Sequence, residues 1–107
     1  MQLRKHNRYR LEVPVIFSWE DAEKIRQQDV GLTRDISLIG AYVFTSSPPP
    51  LEANLKLKAF LPPVRSAAQL LQLHGQGRVV RVEPSRGEYR AGFAVVGRRF
   101  VPRGWEQ

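Results

Sequence analysis

Residues 30–45, VGLTRDISLIGAYVFT, predict two short strands joined by a tight turn. The flanking segments, residues 30–36 and 41–45, carry β-branched and aromatic side chains of the kind that favour strands. Between them, residues 37–40 place a serine and a glycine where a turn needs them. This stretch therefore predicts an antiparallel hairpin, and the segments on either side have to extend the sheet that it begins.

The segment before the hairpin carries the clearest strand pattern in the chain. Apolar side chains recur at every second position and so share one face of an extended strand, namely Leu11, Val13, Val15, Phe17 and Trp19. Pro14 lies on the opposite face and indicates an edge or an irregular position, because proline donates no ladder hydrogen bond. Residues 20–29 are polar and fit either a short helix, with acids before bases as the helix dipole favours, or a long hairpin loop.

Three further strands are expected after the hairpin. Residues 46–50, SSPPP, exclude a strand interior, since consecutive prolines remove its hydrogen-bond donors. Residues 55–61 alternate again, with apolar side chains at the odd positions facing inward. Residues 71–83 and 89–96 are the last two candidates, and residues 64–70 leave room for one helical turn.

The candidate strand over residues 71–83 changes face along its length. The leucines at its start occupy odd positions, whereas the valines at its end occupy even ones. Such a change marks a bulge or a sharp bend, and we expect it near Gly75 and Gly77. Together with Gly92, these glycines would also supply the bends that closing a sheet requires.

Six short strands with turn signals between them, and almost no helix, predict an all-β fold. We expect a small six-stranded antiparallel barrel, because closure removes the exposed edges that an open sheet would leave. In this organisation residues 1–10 form a flexible N-terminal arm and residues 11–97 form the barrel. Residues 98–107 form a short irregular C-terminal tail.

The chain is strongly basic, with 17 lysines and arginines against 10 acids and a net charge of +7. Thirteen of the cations are arginine, which favours planar, bidentate recognition of an anion. The cations concentrate in residues 1–10, which hold no acid, and in residues 78–103. If the fold brings these two segments together, they form one anion site, and otherwise they are solvated surface charge.

The composition excludes or disfavours several functional classes. The absence of cysteine removes disulfides, thiolate metal sites and cysteine nucleophiles. The two histidines, His6 and His74, are isolated in the sequence, so no metal site is expected. No catalytic set and no phosphate-binding loop is visible, and we therefore expect neither enzymatic activity nor a cofactor. No apolar run has the length of a membrane span, and no signal-like segment begins the chain.

Two short patterns lie on either side of the first strand. RKHNR, residues 4–8, contains RxxxR, and DISLIG, residues 35–40, contains DxSxxG. The first pattern occurs by chance in an arginine-rich chain. The second also fits a simple β-turn, in which Asp35 and Ser37 hydrogen-bond their own backbone and Gly40 adopts a positive φ.

Together and in this order, the two patterns resemble the PilZ domain, a family of small six-stranded β-barrels that bind the bacterial second messenger cyclic di-GMP. The resemblance covers residues 3–96. It includes VPV in the first strand, residues 13–15, and DISLIGAYV, residues 35–43, which is similar to the central motif of the family. GRVVRVE and YRAGFAVV, residues 77–83 and 89–96, resemble its last long hairpin.

The resemblance implies a cyclic di-GMP site with five members: Arg4, Arg8, Asp35, Ser37 and Gly40. In such a site the arginines fork onto phosphate or guanine oxygens and stack on the purines, while the aspartate accepts from the guanine edge. Four neighbours are candidates for additional contacts: Lys5, Arg10, Arg34 and Arg78. Members of the family often carry another arginine where this chain has Leu3, which leaves one ligand per domain and a stacked pair as alternatives, and we take the first as the hypothesis to test.

The function implied by the resemblance is that of a cyclic di-GMP receptor in the bacterial cytoplasm. Its N-terminal arm would become ordered on binding and pass the signal to a partner protein or a fused effector domain. One alternative is a small basic barrel that binds nucleic acid, which the charge and the strands also fit. The other is a PilZ-like protein-interaction module without a ligand. The first alternative leaves DxSxxG unexplained, so no nucleic-acid partner is expected.

Overall fold

The regular structure is entirely β-strand in the part of the chain that the structure describes. The computed structural model describes residues 10–61, 72–88, 90–97 and 101–103. Its strands are β1 (Pro14–Glu20), β2 (Arg26–Ser37), β3 (Gly40–Phe44), β4 (Asn54–Phe60), β5 (Gln72–Glu83), β6 (Gly92–Gly97) and β7 (Val101–Arg103).

The first six strands close into a barrel. Their order around the sheet is β4–β1–β2–β3–β6–β5, and β5 pairs again with β4. Every one of these pairings is antiparallel. The closing pair is regular, since it runs without a break from Asn54 opposite Arg78 to Phe60 opposite Gln72. The expected all-β, six-stranded antiparallel barrel is therefore confirmed.

A seventh strand lies outside the six of the barrel. β7 pairs with residues 72–74 at the start of β5. It falls in the tail, residues 98–107, for which the sequence predicts no regular structure. A strand forms there because β5 is longer than its neighbour β6. On the edge of β5 that faces away from β4, β6 pairs only with residues 77–83. β7 takes the backbone groups at the start of that edge, which would otherwise lack partners.

The polar segment after β1 is a hairpin connection rather than a helix, but the loop is shorter than predicted, because β2 begins at Arg26 and not at residue 30. Residues 21–25 connect β1 to β2, and the Asp21 side chain organises this connection. Its Oδ1 accepts from the backbone N–H groups of Glu23 and Ile25, each at 2.9 Å. Gln27 Nε2 donates to Oδ2 at 3.1 Å. These hydrogen bonds, the one from Ile25 most of all, lower the pKa of Asp21, so the charged carboxylate favours the turn.

Packing confirms the alternation predicted for the first strand. Val13, Val15 and Phe17 lie in the core and are at most 3% exposed. Leu11 and Trp19 pack against the margin of the core. The inward positions of β4 are buried in the same way: Leu55, Leu57 and Ala59. The Phe17 ring meets that of Phe93 edge-on with centroids 5.0 Å apart, and because β1 and β6 are opposite each other in the ring of strands, this pair spans the interior.

The predicted change of face in β5 exists, but it lies further along the strand. Pairing with β4 is regular through Gly75 and Gly77, so the prediction of a bulge there is wrong in position. The irregularity falls between Val79 and Arg81 in the pairing with β6. Val79 is fully buried, whereas Val80 is 46% exposed. The extra residue is accommodated where β5 leaves β4 and continues beside β6 alone.

The remaining sequence predictions concern connections and the last strand. Residues 46–50 are not strand, as the prolines predict. The last strand of the barrel begins at Gly92, which is later than the start predicted for residues 89–96. The helical turn predicted for residues 64–70 lies outside the described residues.

Replacing Phe17 by alanine is expected to lower the free energy of unfolding by ~3–5 kcal/mol, because a buried ring is removed from the middle of the barrel and a cavity remains. Urea unfolding followed by circular dichroism measures the loss. Val30→Ala is the matched control, since Val30 is 61% exposed, and it should cost less than ~0.5 kcal/mol. Equal losses in the two variants would contradict the packing described.

Candidate functional site

A bulge in β2 decides which side chains of the DxSxxG motif leave the core. Thr33 and Asp35 lie opposite consecutive residues of β3, so Arg34 is an extra residue between them. Because side chains alternate between faces, one extra residue exchanges inside and outside. Thr33 is fully buried before the bulge, and Ile36 is the next core residue after it. Asp35 consequently lies on the outer face of the barrel.

Asp35 is in direct contact with the bulge residue. Arg34 Nε donates to Asp35 Oδ2 at 2.7 Å. The side chain of Asp35 is 10% exposed, and that of Arg34 is 41% exposed. A short, charge-assisted contact of this kind is stronger than a hydrogen bond between neutral groups. The orientation of the carboxylate is therefore linked to that of the Arg34 guanidinium.

Ser37 and Gly40 lie opposite each other at the turn between β2 and β3. The Ser37 Oγ accepts from the Ile39 backbone N–H at 3.3 Å and donates to the Gly40 carbonyl oxygen at 3.4 Å. The turn interpretation of Ser37 is therefore correct. Since Ser37 and Asp35 are two positions apart in one strand, they also share its outer face.

Gly40 allows β3 and β6 to approach each other closely, which the sequence does not predict. Among the described glycines only Gly87 has a positive φ, so the positive φ that the simple β-turn alternative gives to Gly40 is not observed. A Cβ at Gly40 would lie 2.6 Å from the Val95 carbonyl oxygen of β6. Glycine is needed here because the backbones of β3 and β6 approach so closely.

Tyr42 lies at the centre of the outer face beside Asp35, and it is only 2% exposed. The guanidinium carbon of Arg34 is 4.1 Å from the centre of its ring, and that of Arg81 is 5.8 Å away. The Tyr42 hydroxyl donates to Glu83 Oε1 at 2.7 Å, and Glu83 Oε2 accepts from Arg81 Nε at 3.0 Å. Burial and the Glu83 carboxylate raise the pKa of Tyr42 to about 12, although the two arginines act in the opposite direction.

These side chains form one connected group, which we call the outer-face cluster: Arg34, Asp35, Tyr42, Arg81 and Glu83. The cluster has room because Gly92 lacks a side chain. A Cβ there would lie 2.7 Å from Tyr42 Cε1 and 2.8 Å from its hydroxyl oxygen. Gly92 was expected to bend the strand, and the contacts show that it accommodates the tyrosine ring. Sequence reasoning did not identify Tyr42, Arg81 or Glu83, since no local motif connects them.

Arg78 lies on the same outer face, three strands away from the motif. It is opposite Val96, which is opposite Gly40, which in turn is opposite Ser37. The Arg78 guanidinium is 3.8 Å from a Glu52 oxygen, and both side chains are more than 60% exposed. This pair is too exposed to hold Arg78 firmly. The expectation that Arg78 faces the same surface as the motif agrees with this register.

The chain enters the barrel beside the motif. The Thr33 backbone N–H donates to the Val13 carbonyl, and Thr33 Oγ1 accepts from the Val13 N–H, both at 2.9 Å. The Thr33 hydroxyl also donates to the Leu11 carbonyl. Arg10, one residue earlier, is exposed. Three of the predicted site residues lie outside the described residues: Arg4, Lys5 and Arg8. Leu11 and Val13 are thus bonded to Thr33, which is two positions before Asp35 in the sequence.

Another arginine covers the next aromatic ring of β3. The guanidinium carbon of Arg90 is 3.9 Å from the centre of the Phe44 ring, and Arg90 Nη2 is 3.6 Å from a Glu12 oxygen. An open cavity of about 330 Å³ lies beside it and is lined by Glu83, Pro84, Arg86 and Arg90. Arg81 and Arg90 of the late arginine group therefore lie against aromatic rings, although about half of each side chain is exposed.

The groups on this face are suited to the recognition of a charged, hydrogen-bonding ligand. Within the described ranges, no group of three histidine, aspartate or glutamate side chains could hold a metal ion. The same residues include no helix with the length and hydropathy to cross a membrane. A carboxylate, a hydroxyl and several guanidinium groups are the partners that a planar molecule with N–H donors and negative groups requires.

Comparison with known proteins gives one result that covers nearly the whole chain. A family model described as PilZ domain matches residues 2–102. No match was found among curated proteins, and none among solved structures. The matched range contains both RxxxR and DxSxxG, together with all six strands of the barrel.

Tyr42 should titrate at unusually high pH, and its ionisation should weaken folding. Its pKa of about 12 in the folded protein exceeds the ordinary value of 10.0. Keeping Tyr42 protonated therefore contributes its full stabilisation of the fold below about pH 10. Between about pH 10 and pH 12 the unfolded chain has released this proton while the folded protein still holds it, so the stabilisation is lost as the pH rises through this range. Ultraviolet titration of the folded protein should show a tyrosine with this midpoint, which Tyr42→Phe removes. A wild-type titration identical to that of the variant would contradict the assignment.

Proposed function

The chain belongs to the PilZ domain family, and on that basis we propose that it is a receptor domain that binds cyclic di-GMP on the outer face around Asp35. PilZ domains bind this dinucleotide and are effector domains rather than enzymes. One observation carries the proposal. The bulge turns Asp35 outward, two residues from Thr33, which anchors the chain that leads from the RxxxR arm.

Asp35 and Ser37 have the groups that a guanine base needs. Guanine presents adjacent N–H donors at N1 and N2, and a carboxylate accepts from both at once. Adenine has an acceptor at N1, so the same carboxylate would face a lone pair. The Ser37 hydroxyl is two positions further along the same face and can add a contact to the base or to a phosphate.

The arginines of the arm would bind the phosphates. Arg8 precedes Leu11 by three residues, and a three-residue segment spans at most about 10 Å. Since the Leu11 carbonyl is bonded to Thr33, this reach would allow the Arg8 guanidinium to contact a ligand on the Asp35 face, and Arg4 would approach from further along the ligand. Planar guanidinium groups fork onto phosphate oxygens and stack on purine rings.

Binding would change the arm and thereby generate the signal. Residues 1–10 hold four cations and no acid, and these charges repel one another until an anion neutralises them. The ligand would then order the arm against the barrel and alter the shape and charge of one surface. A partner protein or a fused effector domain would recognise that surface. The ligand is a bacterial second messenger, so the proposal locates the protein in the bacterial cytoplasm.

Calorimetric titration with cyclic di-GMP should give one ligand per domain. Arg8→Ala and Asp35→Ala should each weaken binding by at least ~30-fold, because each removes a charged partner of the ligand. Arg26→Ala is the matched control, since this exposed arginine lies at the far end of β2, and its affinity should match the wild type. The melting temperature of ligand-free Arg8→Ala should also match.

Two outcomes of this titration would contradict the proposal. Unchanged affinity in both Arg8→Ala and Asp35→Ala would refute the site. A ratio of two ligands per domain would refute the stoichiometry expected from Leu3, without refuting the site.

Salt dependence separates the proposed function from nucleic-acid binding. Non-specific affinity for DNA or RNA should fall by orders of magnitude between ~50 and ~200 mM salt, because it depends on counterion release. Affinity for cyclic di-GMP should fall far less, since contacts to the base edge contribute, and excess GTP should not displace the dinucleotide. Tight binding of DNA at the higher salt, with none of cyclic di-GMP, would favour the competing function.

A further inference from the structure

Arg34 makes two specific contacts although its side chain is partly exposed. It is the extra residue of the β2 bulge, and its Nε donates to Asp35 Oδ2 at 2.7 Å. At the same time its guanidinium carbon lies 4.1 Å from the centre of the Tyr42 ring. A side chain that is 41% exposed would ordinarily sample many rotamers. Contact with both a carboxylate and an aromatic face stabilises the arrangement observed.

The aromatic side of this arrangement is rigid. Tyr42 is 2% exposed, its ring fills the space that Gly92 leaves, and its hydroxyl donates to Glu83 at 2.7 Å. Glu83 is in turn paired with Arg81, whose guanidinium lies towards the same ring. Contacts from β3, β5 and β6 thus determine where the Tyr42 ring lies, and the ring determines where Arg34 lies.

The geometry of guanine recognition explains why this matters. A carboxylate accepts from N1–H and N2–H together only when its plane coincides with that of the base. Rotation of the Asp35 side chain would remove that coincidence. The contact from Arg34 Nε opposes this rotation, and since each carboxylate oxygen has more than one lone pair, it is compatible with a base edge on the same oxygen.

We propose that Arg34 is a positioning residue, which Tyr42 holds in place and which orients the Asp35 carboxylate for a guanine edge. The inference rests on the proposed function, and it goes further, because it assigns base selectivity to a side chain outside the RxxxR and DxSxxG residues. Arg34 then acts through Asp35 rather than as one more positive charge near the phosphates. The two roles differ in their consequences. A positioning residue affects the choice of base, whereas a simple charge affects all anionic dinucleotides alike.

The chain contains a matched control for Arg34. Arg90 also lies over an aromatic ring, 3.9 Å from the centre of Phe44, and its side chain is 51% exposed. Arg90→Met and Arg34→Met each remove one positive charge and one cation–π contact. Only Arg34→Met removes the contact to Asp35. Arg34→Lys keeps the charge but lacks the planar Nε donor.

The experiment is calorimetric titration of the full chain with cyclic di-GMP and, separately, with cyclic di-AMP. The ratio of the two affinities is the readout, because a merely structural role would not change it. Arg34→Met should reduce this ratio by about tenfold, within the range that one bidentate base contact contributes, and Arg34→Lys should not restore it. Arg90→Met should leave the ratio unchanged. Tyr42→Leu, which removes the ring beneath Arg34, should reduce the ratio as Arg34→Met does, whereas Tyr42→Phe should keep it.

Each outcome decides a different question. If the wild type binds cyclic di-GMP and Arg34→Met retains the full ratio, the positioning role is overturned while the proposed function stands. Restoration of the ratio by Arg34→Lys would also overturn it, since charge alone would then suffice. If the wild type binds no cyclic di-GMP, the proposed function fails and the inference fails with it. Circular dichroism spectra test whether Tyr42→Leu folds. If it does not fold, the Arg34 and Arg90 variants alone decide whether Arg34 positions Asp35.

Discussion

The single extra residue in β2 determines which side of the barrel can recognise a ligand. If Arg34 were paired regularly instead of being bulged, Thr33 and Asp35 would be two positions apart in an undisturbed strand, and both side chains would face the same side. With the bulge, Thr33 remains buried and holds the entering chain, while Asp35 lies outward beside Tyr42. This part of β2 therefore supplies two features that the proposed function needs. These are the Asp35 carboxylate, which the bulge turns outward, and the Thr33 side chain just before the bulge, which bonds to Leu11 and Val13.

The elements that sequence predicted well are those with one buried face. The alternation from Leu11 to Trp19 and that of β4 identified core positions because burial imposes a period of two. The bulges were misplaced or missed because their positions depend on partner strands. In β5 the extra residue is Val80, two positions after Arg78, which is the last residue that pairs with β4, and no pattern within β5 itself contains that information. β7 is not predicted either, because it depends on pairing with residues 72–74 of β5.

In the candidate site, too, the residues of one local motif are predictable from the sequence, whereas those that come from other strands are not. The motif identified Asp35 and Ser37, and their shared outer face is consistent with the roles that the resemblance implies. It could not reveal that Tyr42 is covered by arginines and bonded to Glu83, 41 positions later in the sequence. The late arginines also proved to differ from one another. Arg90 lies on an aromatic ring, whereas Arg78 is exposed beside Glu52, so a count of charges could not assign their roles.

Nuclear magnetic resonance mapping of the folded domain tests the central claim most directly. Addition of cyclic di-GMP to the ¹⁵N-labelled protein should shift the backbone amide signals of Asp35, Ser37 and Tyr42 on the outer face of β2 and β3. Signals from the outer face of β4, around Lys56 and Lys58, should remain in place, because that strand lies on the other side of β1 from β2. Shifts confined to β4, or no shifts at saturating ligand, would contradict the account.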